Sequence, residues 1–374
     1  MYRRGFSSHA VSSPAHRLVD FGATHQVETH GIEMRRSISP LQDLVAVRRL
    51  TGLFRIIRPT IVHAHTPKGG LLGMIASCIT RTPIRVYHIR GLPYMTASGK
   101  RRTLLKMTER VSCLLAGRVF CVSHSIREVA IADGIVSSDK IVVFGGGSGN
   151  GVDSTERYNP ARFTGEEGVR KREELGIPVV APVVLFVGRV VRDKGVEELA
   201  RAWADIRELF PNARLVLAGP PESRDTVSEQ TRIQLIQDER VVLTGAIDDP
   251  AIYYALADLV VLPTYREGFP NVPLEAAAME LPVVATRIPG CIDAVQDGVT
   301  GTLVPPREVE PLVAAICRYL DDPELRVRHG KAGRERVLRE FRQEAIWEAI
   351  YQEYCRLLTQ RGIPIPTPDP AAAQ

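Results

Sequence analysis

The sequence predicts two doubly wound α/β domains joined by a glycine-rich hinge, and three observations support this. The chain has 374 residues, too long for one ordinary domain and suited to two. Short apolar, β-branched runs alternate with amphipathic helical stretches through both halves; strand, helix, strand in regular succession makes a parallel sheet covered by helices. Residues 145–153, Gly-Gly-Gly-Ser-Gly-Asn-Gly-Val-Asp, interrupt that rhythm, as an interdomain hinge does.

In chain order, Met1 to Gly5 reads as the end of a helix leading into a strand from His9 to Ser12. Further strands are expected at Ile61 to His65, Ile84 to Ile89, Arg118 to Val122 and Ile141 to Phe144, with helices near 41–57, 69–80, 101–116 and 124–133. The second half repeats the pattern. Strands at Val183 to Val187, Ala213 to Ala218, Val241 to Leu243, Leu259 to Leu262, Pro282 to Ala285 and Gly301 to Val304 alternate with helices near 194–210, 226–237, 249–256, 271–280 and 308–321. Helices over 323–340 and 342–359 follow, the last with Trp347, Ile350, Tyr354 and Leu357 at helical spacing. The expected division is 1–150 for an N-terminal domain, 151–341 for a C-terminal domain, 342–360 for a final helix and 361–374 for a Pro- and Ala-rich disordered tail.

Composition narrows the class. Apolar residues make up 44% and charged residues 24%, ordinary for a soluble globular protein. No window approaches the roughly 18 apolar residues of a membrane span, and Met1-Tyr-Arg-Arg lacks the apolar core of a signal peptide; a cytoplasmic protein is expected. The six cysteines stand without C-x-x-C spacing and read as reduced core residues. Net charge is +5, but residues 1–157 carry +12 and the remainder −7, so the halves differ electrostatically. Lys100, Arg101, Arg102, Lys106 and Arg110 share a helix with Leu104, Leu105, Met107 and Val111. This is either a solvated basic face or one attracted to anionic headgroups. Aromatics are 6% of the chain and none interleaves with these cations, so nucleic acid is not an expected partner.

The chemistry centres on residues 258–275. Asp258 to Leu262 is a buried strand, Asn271 to Met279 a helix, and Gly268, Pro270 and Pro273 set the bend between them. Such a bend leaves helix amides unpaired above the strand's carboxyl end, an anion site. Glu267 and Glu275 flank it, and a carboxylate beside a phosphate suits sugar hydroxyls better than the phosphate itself. A nucleotide sugar is the ligand this suggests. Phe186-Val-Gly-Arg-Val-Val-Arg-Asp-Lys-Gly195 likewise leaves a strand at Gly188, which puts Arg189 and Lys194 on a loop where two cations neutralise a diphosphate. His63 and His65 end another strand; without a third ligand at metal-site spacing they read as the polar floor of a cleft.

Glu267-Gly-Phe-Pro-Asn-Val-Pro-Leu-Glu275, followed by Ala276-Ala-Ala278, resembles the E-x7-E element of the retaining glycosyltransferases of family 4. The resemblance covers nearly all of residues 5–360 and implies the GT-B fold, two Rossmann-like doubly wound domains facing a cleft. It implies that Gly188, Arg189 and Lys194 clamp the donor diphosphate and that Gly268, Phe269, Pro270, Asn271 and Leu274 line the donor site. It further implies that Glu267 positions the donor sugar and Glu275 holds the ribose. Gly290 lines the same pocket or forms a plain turn. Relatives place a histidine before the glycine of Arg90-Gly91; here Arg90 stands there, and His88 two residues earlier is the alternative. No metal and no cofactor are implied beyond the donor, which the resemblance implies is a UDP-sugar.

Set against this family, the first strand, its glycine turn and most of the first helix, about 25–30 residues, are expected to be missing. The stretches His63-Ala-His-Thr-Pro-Lys-Gly-Gly70, His88-Ile-Arg-Gly-Leu-Pro93 and Gly149-Asn-Gly-Val-Asp153 resemble the subset that builds capsule, exopolysaccharide or O-antigen units. This implies a polyprenyl-diphosphate-linked acceptor on the cytoplasmic face of the inner membrane, with the protein peripherally bound through its basic half. The competing class is a non-catalytic, truncated UDP-binding homologue or partner subunit. A nicotinamide oxidoreductase is disfavoured because no register of 145–153 gives G-x-G-x-x-G before a helix.

Overall fold

The structure, a computed structural model, describes residues 1, 4–25, 27–35, 37, 39–163, 165–222 and 225–367. The chain forms two compact units. Unit 1 takes Met1–Cys121, Arg127–Val142 and the chain from Trp347; unit 2 takes Val122–Ile126 and Val143–Ile346.

Unit 1 runs β1 (His9–Ser12), α1 (His16–His25), β2 (Glu28–Gly31), α2 (Pro40–Ile57), β3 (Ile61–His65), α3 (Pro67–Ile79), β4 (Ile84–Ile89), α4 (Gly99–Leu115), β5 (Arg118–Cys121), α5 (His124–Ala132) and β6 (Ile141–Val143). Strands β3, β4, β5 and β6 form one sheet in that order, while β1 and β2 form a separate parallel pair. The centre is apolar on both faces, with Val86, Tyr87, Ile89, Val119 and Phe120 fully buried, as parallel strands between helices require. The expected single sheet is thus divided. Among the described residues no strand pairs with the second edge of β1 or of β3. A cavity of about 650 Å³ is lined by His9, Val11 and Ser12 from the first and Ile61 to His65 from the second.

Neither α1 nor β2 is expected from the sequence. Phe21 and Val19 of α1 are exposed, so it lacks the buried apolar stripe that makes a helix legible, and β2 is only Glu-Thr-His-Gly. Residues 363–367, expected within a disordered tail, lie along the cavity through Ile363, Pro364 and Pro366; residues 368–374 lie outside the described residues. The expected helix end at Met1 to Gly5 falls partly outside them too, and Arg4 there closes a single turn onto the Met1 carbonyl.

Unit 2 follows with α6 (Gly165–Glu174), β7 (Val183–Val187), α7 (Val196–Leu209), β8 (Arg214–Ala218), α8 (Glu229–Gln237), β9 (Val241–Gly245), α9 (Ala251–Ala255), β10 (Leu259–Leu262), α10 (Val272–Ala278), β11 (Val283–Thr286), α11 (Cys291–Ala294), β12 (Gly301–Val304), α12 (Val309–Asp321) and α13 (Pro323–Glu340). The last helix, α14 (Gln343–Gln360), belongs to unit 1 from Trp347 onward. There it buries Tyr354 and Leu358 and pairs Glu353 with Arg118 at 2.8 Å. Helix α6, Gly-Glu-Glu-Gly-Val-Arg-Lys-Arg-Glu-Glu, is polar nearly all round and gave no periodic signal to read.

The six strands of unit 2 are parallel, ordered β12-β11-β10-β7-β8-β9. From β7 the chain builds outward through β8 and β9, then returns to the other side of β7 with β10. The carboxyl ends of β7 and β10 therefore border a topological switch point, where open α/β sheets bind ligands. The sheet packs on two layers: Leu185, Val260 and Val283 face one buried cluster, while Val184, Phe186 and Trp203 belong to the other.

Candidate active site

Two loops meet at the switch point. The loop after β7 carries Gly188, Arg189 and Lys194; the loop after β10 carries Glu267 to Asn271. They press together at Gly195, whose φ is +72° and where a Cβ would collide with the Pro263 carbonyl, so only glycine fits. Lys194 closes a short 3-10 turn before it, and its ammonium pairs with the Glu267 carboxylate. Both side chains are mostly buried, 21% and 13% exposed, so this pair is screened less than a surface one. Arg189 donates to Glu222 at 2.6 Å from a more exposed position. Arg266 pairs with Asp193 at 3.0 Å. Each expected clamp cation thus already holds a carboxylate of its own unit.

The helix after the bend departs from expectation. It has seven residues, Pro273 has no N–H, and the Leu274 and Glu275 amides donate to the Asn271 carbonyl at 2.9 Å each. Glu275 thus makes the ordinary first helical bond, the Asn271 and Val272 amides remain first-turn donors without a backbone partner among the described residues, and Lys194 and Arg189 add positive charge to the site. Leu274 and Pro270 are buried beneath the bend, and Phe269 packs on Phe341 with ring centroids 5.5 Å apart. Gly290, with φ +86°, stands where a Cβ would strike the Gly268 carbonyl; it belongs to the same bend and is more than a surface turn.

Glu275 lies on α10 and accepts from the Tyr254 hydroxyl at 2.7 Å and from Tyr158. Burial raises its pKa, while the two tyrosines and nearby Arg157 oppose the rise. The tyrosines orient the carboxylate, and sequence reading missed them because they stand 21 and 117 residues away. A second feature missed is the turn at 122–126. Ser123 Oγ donates to the Gly268 carbonyl at 2.8 Å, the Gly290 amide donates to Ser125 Oγ at 2.7 Å, and Ser125 is paired with Asp293. One serine turn therefore holds both glycines of the bend, and no local motif announces it.

In unit 1 the register opposes His65 to His88. This supplies the third imidazole that sequence spacing lacked, and the ligand atoms of His63, His65 and His88 lie within 4.8 Å of one another. His63 Nε2 is 3.2 Å from His88 Nδ1, its Nδ1 meets the Tyr354 hydroxyl, and Arg90 donates to His65 Nδ1 at 3.4 Å. Burial first lowers the pKa of all three rings, followed by the Arg90 cation at His65 and His88 and by His65 ahead of Arg90 at His63; His65 is lowered to about 4. His88 is 2% exposed, enclosed behind His63, whereas Arg90 is partly exposed. His88 is thus placed to support and Arg90 to reach outward.

Residues 169–336 match the family of glycosyl transferases group 1, and residues 1–147 match the glycosyl transferase 4-like domain. Over 358 residues the chain is 33% identical to the capsular polysaccharide biosynthesis glycosyltransferase CapM of Staphylococcus aureus, covering 96% of this chain and 92% of that one. The chain belongs to the family 4 glycosyltransferases. It is therefore a transferase, similar to enzymes of capsule and polysaccharide synthesis. This glycosyltransferase is also 28% identical, over 78% of its length and 74% of the other's, to the UDP-Gal:alpha-D-GlcNAc-diphosphoundecaprenol alpha-1,3-galactosyltransferase of Escherichia coli. Its fold is shared with Anabaena HepE, solved in complex with UDP, at a TM-score of 0.77, 22% identity and coverage of 93% and 92%. Two Rossmann-like units of this kind make up the GT-B fold.

Proposed function

We propose that this glycosyltransferase moves a sugar from a UDP-sugar to a polyprenyl-diphosphate-linked acceptor, with retention and without a metal in the transfer step. The observation that carries the reading is the Lys194 and Glu267 pair beside Arg189 at the switch point of β7 and β10. As the glycosidic bond breaks, charge grows on the leaving diphosphate, and a fixed ammonium and guanidinium stabilise it there. Diphosphate entering the loop takes Lys194 and Arg189 from Glu267 and Glu222, which frees Glu267 to accept from a donor-sugar hydroxyl. Engaged by that hydroxyl, Glu267 is a positioning group and not a nucleophile; the leaving phosphate takes the acceptor's proton on the same face. Glu275, aimed by Tyr254 and Tyr158, receives the ribose hydroxyls.

The acceptor reading rests on α4. Leu104, Met107, Val111 and Leu114 are exposed, up to 74% at Leu114, and follow one another at helical spacing. Lys100, Arg101, Arg102 and Arg110 are exposed on the same helix. An outward apolar stripe edged with cations seats a helix in an anionic membrane surface; the solvated-face reading leaves that stripe unexplained. No helix among the described residues is long and apolar enough to cross a membrane, so contact through α4 fits an acceptor held at the surface. The test is calorimetric titration with UDP. Wild type binds, and Lys194→Ala and Glu275→Ala each weaken binding by about tenfold or more. Unchanged affinity in both variants refutes the site.

A further inference from the structure

We infer that His9, Glu28 and His30 form a zinc-type cation site that clips β1 to β2, separate from the donor site and beyond the proposed function. The pairing of the strands creates it. His9 stands opposite Glu28 and Val11 opposite His30, and residues two apart on a strand share a face, so two imidazoles and a carboxylate converge from positions no sequence motif links.

The His9–His30 contact is itself of hydrogen-bond length, and it is the longer Glu28 contacts that point to a cation site. His9 Nδ1 is 3.2 Å from His30 Nε2; one Glu28 oxygen is 3.4 Å from His9 Nδ1 and the other 3.5 Å from His30 Nε2. The carboxylate contacts exceed the roughly 2.7–3.2 Å of good N–H···O bonds. With one Glu28 oxygen as ligand, the His9–His30 and His9–Glu28 separations lie near the edge of a tetrahedron with metal–ligand bonds of about 2.1 Å, an edge of about 3.4 Å, and the three ligand atoms lie within 4.8 Å of one another; two histidines with one glutamate are an established zinc donor set. Glu28 is 65% exposed while His9 and His30 are 23% and 20% exposed, which gives the ion a route from solvent and leaves room for a water as fourth ligand.

The fold also has a use for the clip. A two-stranded sheet of four residues a side is marginal by itself, and a bound ion favours the state that assembles its ligands. The other imidazole cluster is the poorer candidate. At His63, His65 and His88, Arg90 donates into His65 Nδ1, occupying a ligand lone pair and setting a cation where a dication would lie.

The experiment is titration of the chelator-stripped full chain with Co2+, followed by visible absorption, and with Zn2+ by calorimetry. We expect one equivalent bound with the intense d–d bands of tetrahedral cobalt, and a higher thermal midpoint in Zn2+. His30→Ala and Glu28→Gln, each checked for folding by circular dichroism, weaken binding by more than about tenfold, and His63→Ala leaves it unchanged. Glu28→Gln guards against a histidine variant that simply fails to fold. Absence of binding, binding unaffected by Glu28→Gln and His30→Ala, or binding lost only in His63→Ala overturns the site.

Discussion

Lys194 and Glu109 each carry a consequence that a single substitution reads. Lys194→Ala removes the ammonium from beside the leaving diphosphate, and kcat falls by about 10²–10³, with circular dichroism unchanged. Lys194→Arg restores part of it. Glu109 tests the packing of unit 1. It is 1% exposed, accepts from Tyr87 at 2.6 Å, and its Oε1 finds no hydrogen-bond partner among the described residues. Burial raises its pKa from 4.5 to about 7, partly offset by the Tyr87 hydrogen bond. A group protonated more readily when folded contributes stability below its unfolded pKa and loses it as pH rises through the folded one. Stability of unit 1 therefore declines between about pH 4.5 and 7, by on the order of 3 kcal/mol. In Glu109→Gln, thermal midpoints at pH 5 and pH 8 draw together; an unchanged pH response contradicts the assignment. At this scale, Arg189 and Glu267 were legible as candidates because they stand two and five residues past the carboxyl ends of β7 and β10, and Lys194 and Glu275 because the Gly-Arg-x4-Lys-Gly and E-x7-E spacings mark them. Glu222, Tyr254, Tyr158 and Ser125 were not, because the sheet order alone brings them to those residues.

Among the elements, α4 makes the sharpest prediction. Four exposed apolar side chains, each contributing on the order of 1.5–3 kcal/mol if fully buried, and neighbouring cations at about 1 kcal/mol each, bind the helix to anionic vesicles. The double variant Leu104→Glu, Met107→Glu reduces co-sedimentation with phosphatidylglycerol vesicles by more than tenfold, a ~1.4 kcal/mol change at the least, and leaves UDP affinity intact. Equal sedimentation returns α4 to a plain solvated helix. The sequence showed this helix and its cations, but periodicity could not say which face the sheet covers; the buried residues are Glu109, Ser112 and Cys113. Strands β7 and β10 and helix α12 were plain because they are apolar throughout or strongly amphipathic. Helix α6 and strand β2, polar or short, carried no pattern to find.

For the whole molecule, the division into two units and the parallel character of the sheets followed from the strand–helix rhythm and the glycines at 145–151. Strand order did not, and it is the order β10-β7-β8 that makes the switch point. The split of unit 1 into two sheets was also beyond pattern reading, since each strand's period is the same whichever neighbour it has. Charge divides along similar lines, +12 over residues 1–157 against −7 over the rest. The contact with anionic lipid proposed for α4 falls in the basic half. The measurement that tests this account most directly is a transfer assay on the purified chain. A set of UDP-sugars and membranes carrying a polyprenyl-diphosphate-linked sugar are supplied, and the lipid product is weighed by mass spectrometry. The account predicts a gain of one glycosyl residue on the lipid with release of UDP, lost in Lys194→Ala. UDP bound tightly with no mass gain from any donor would contradict it.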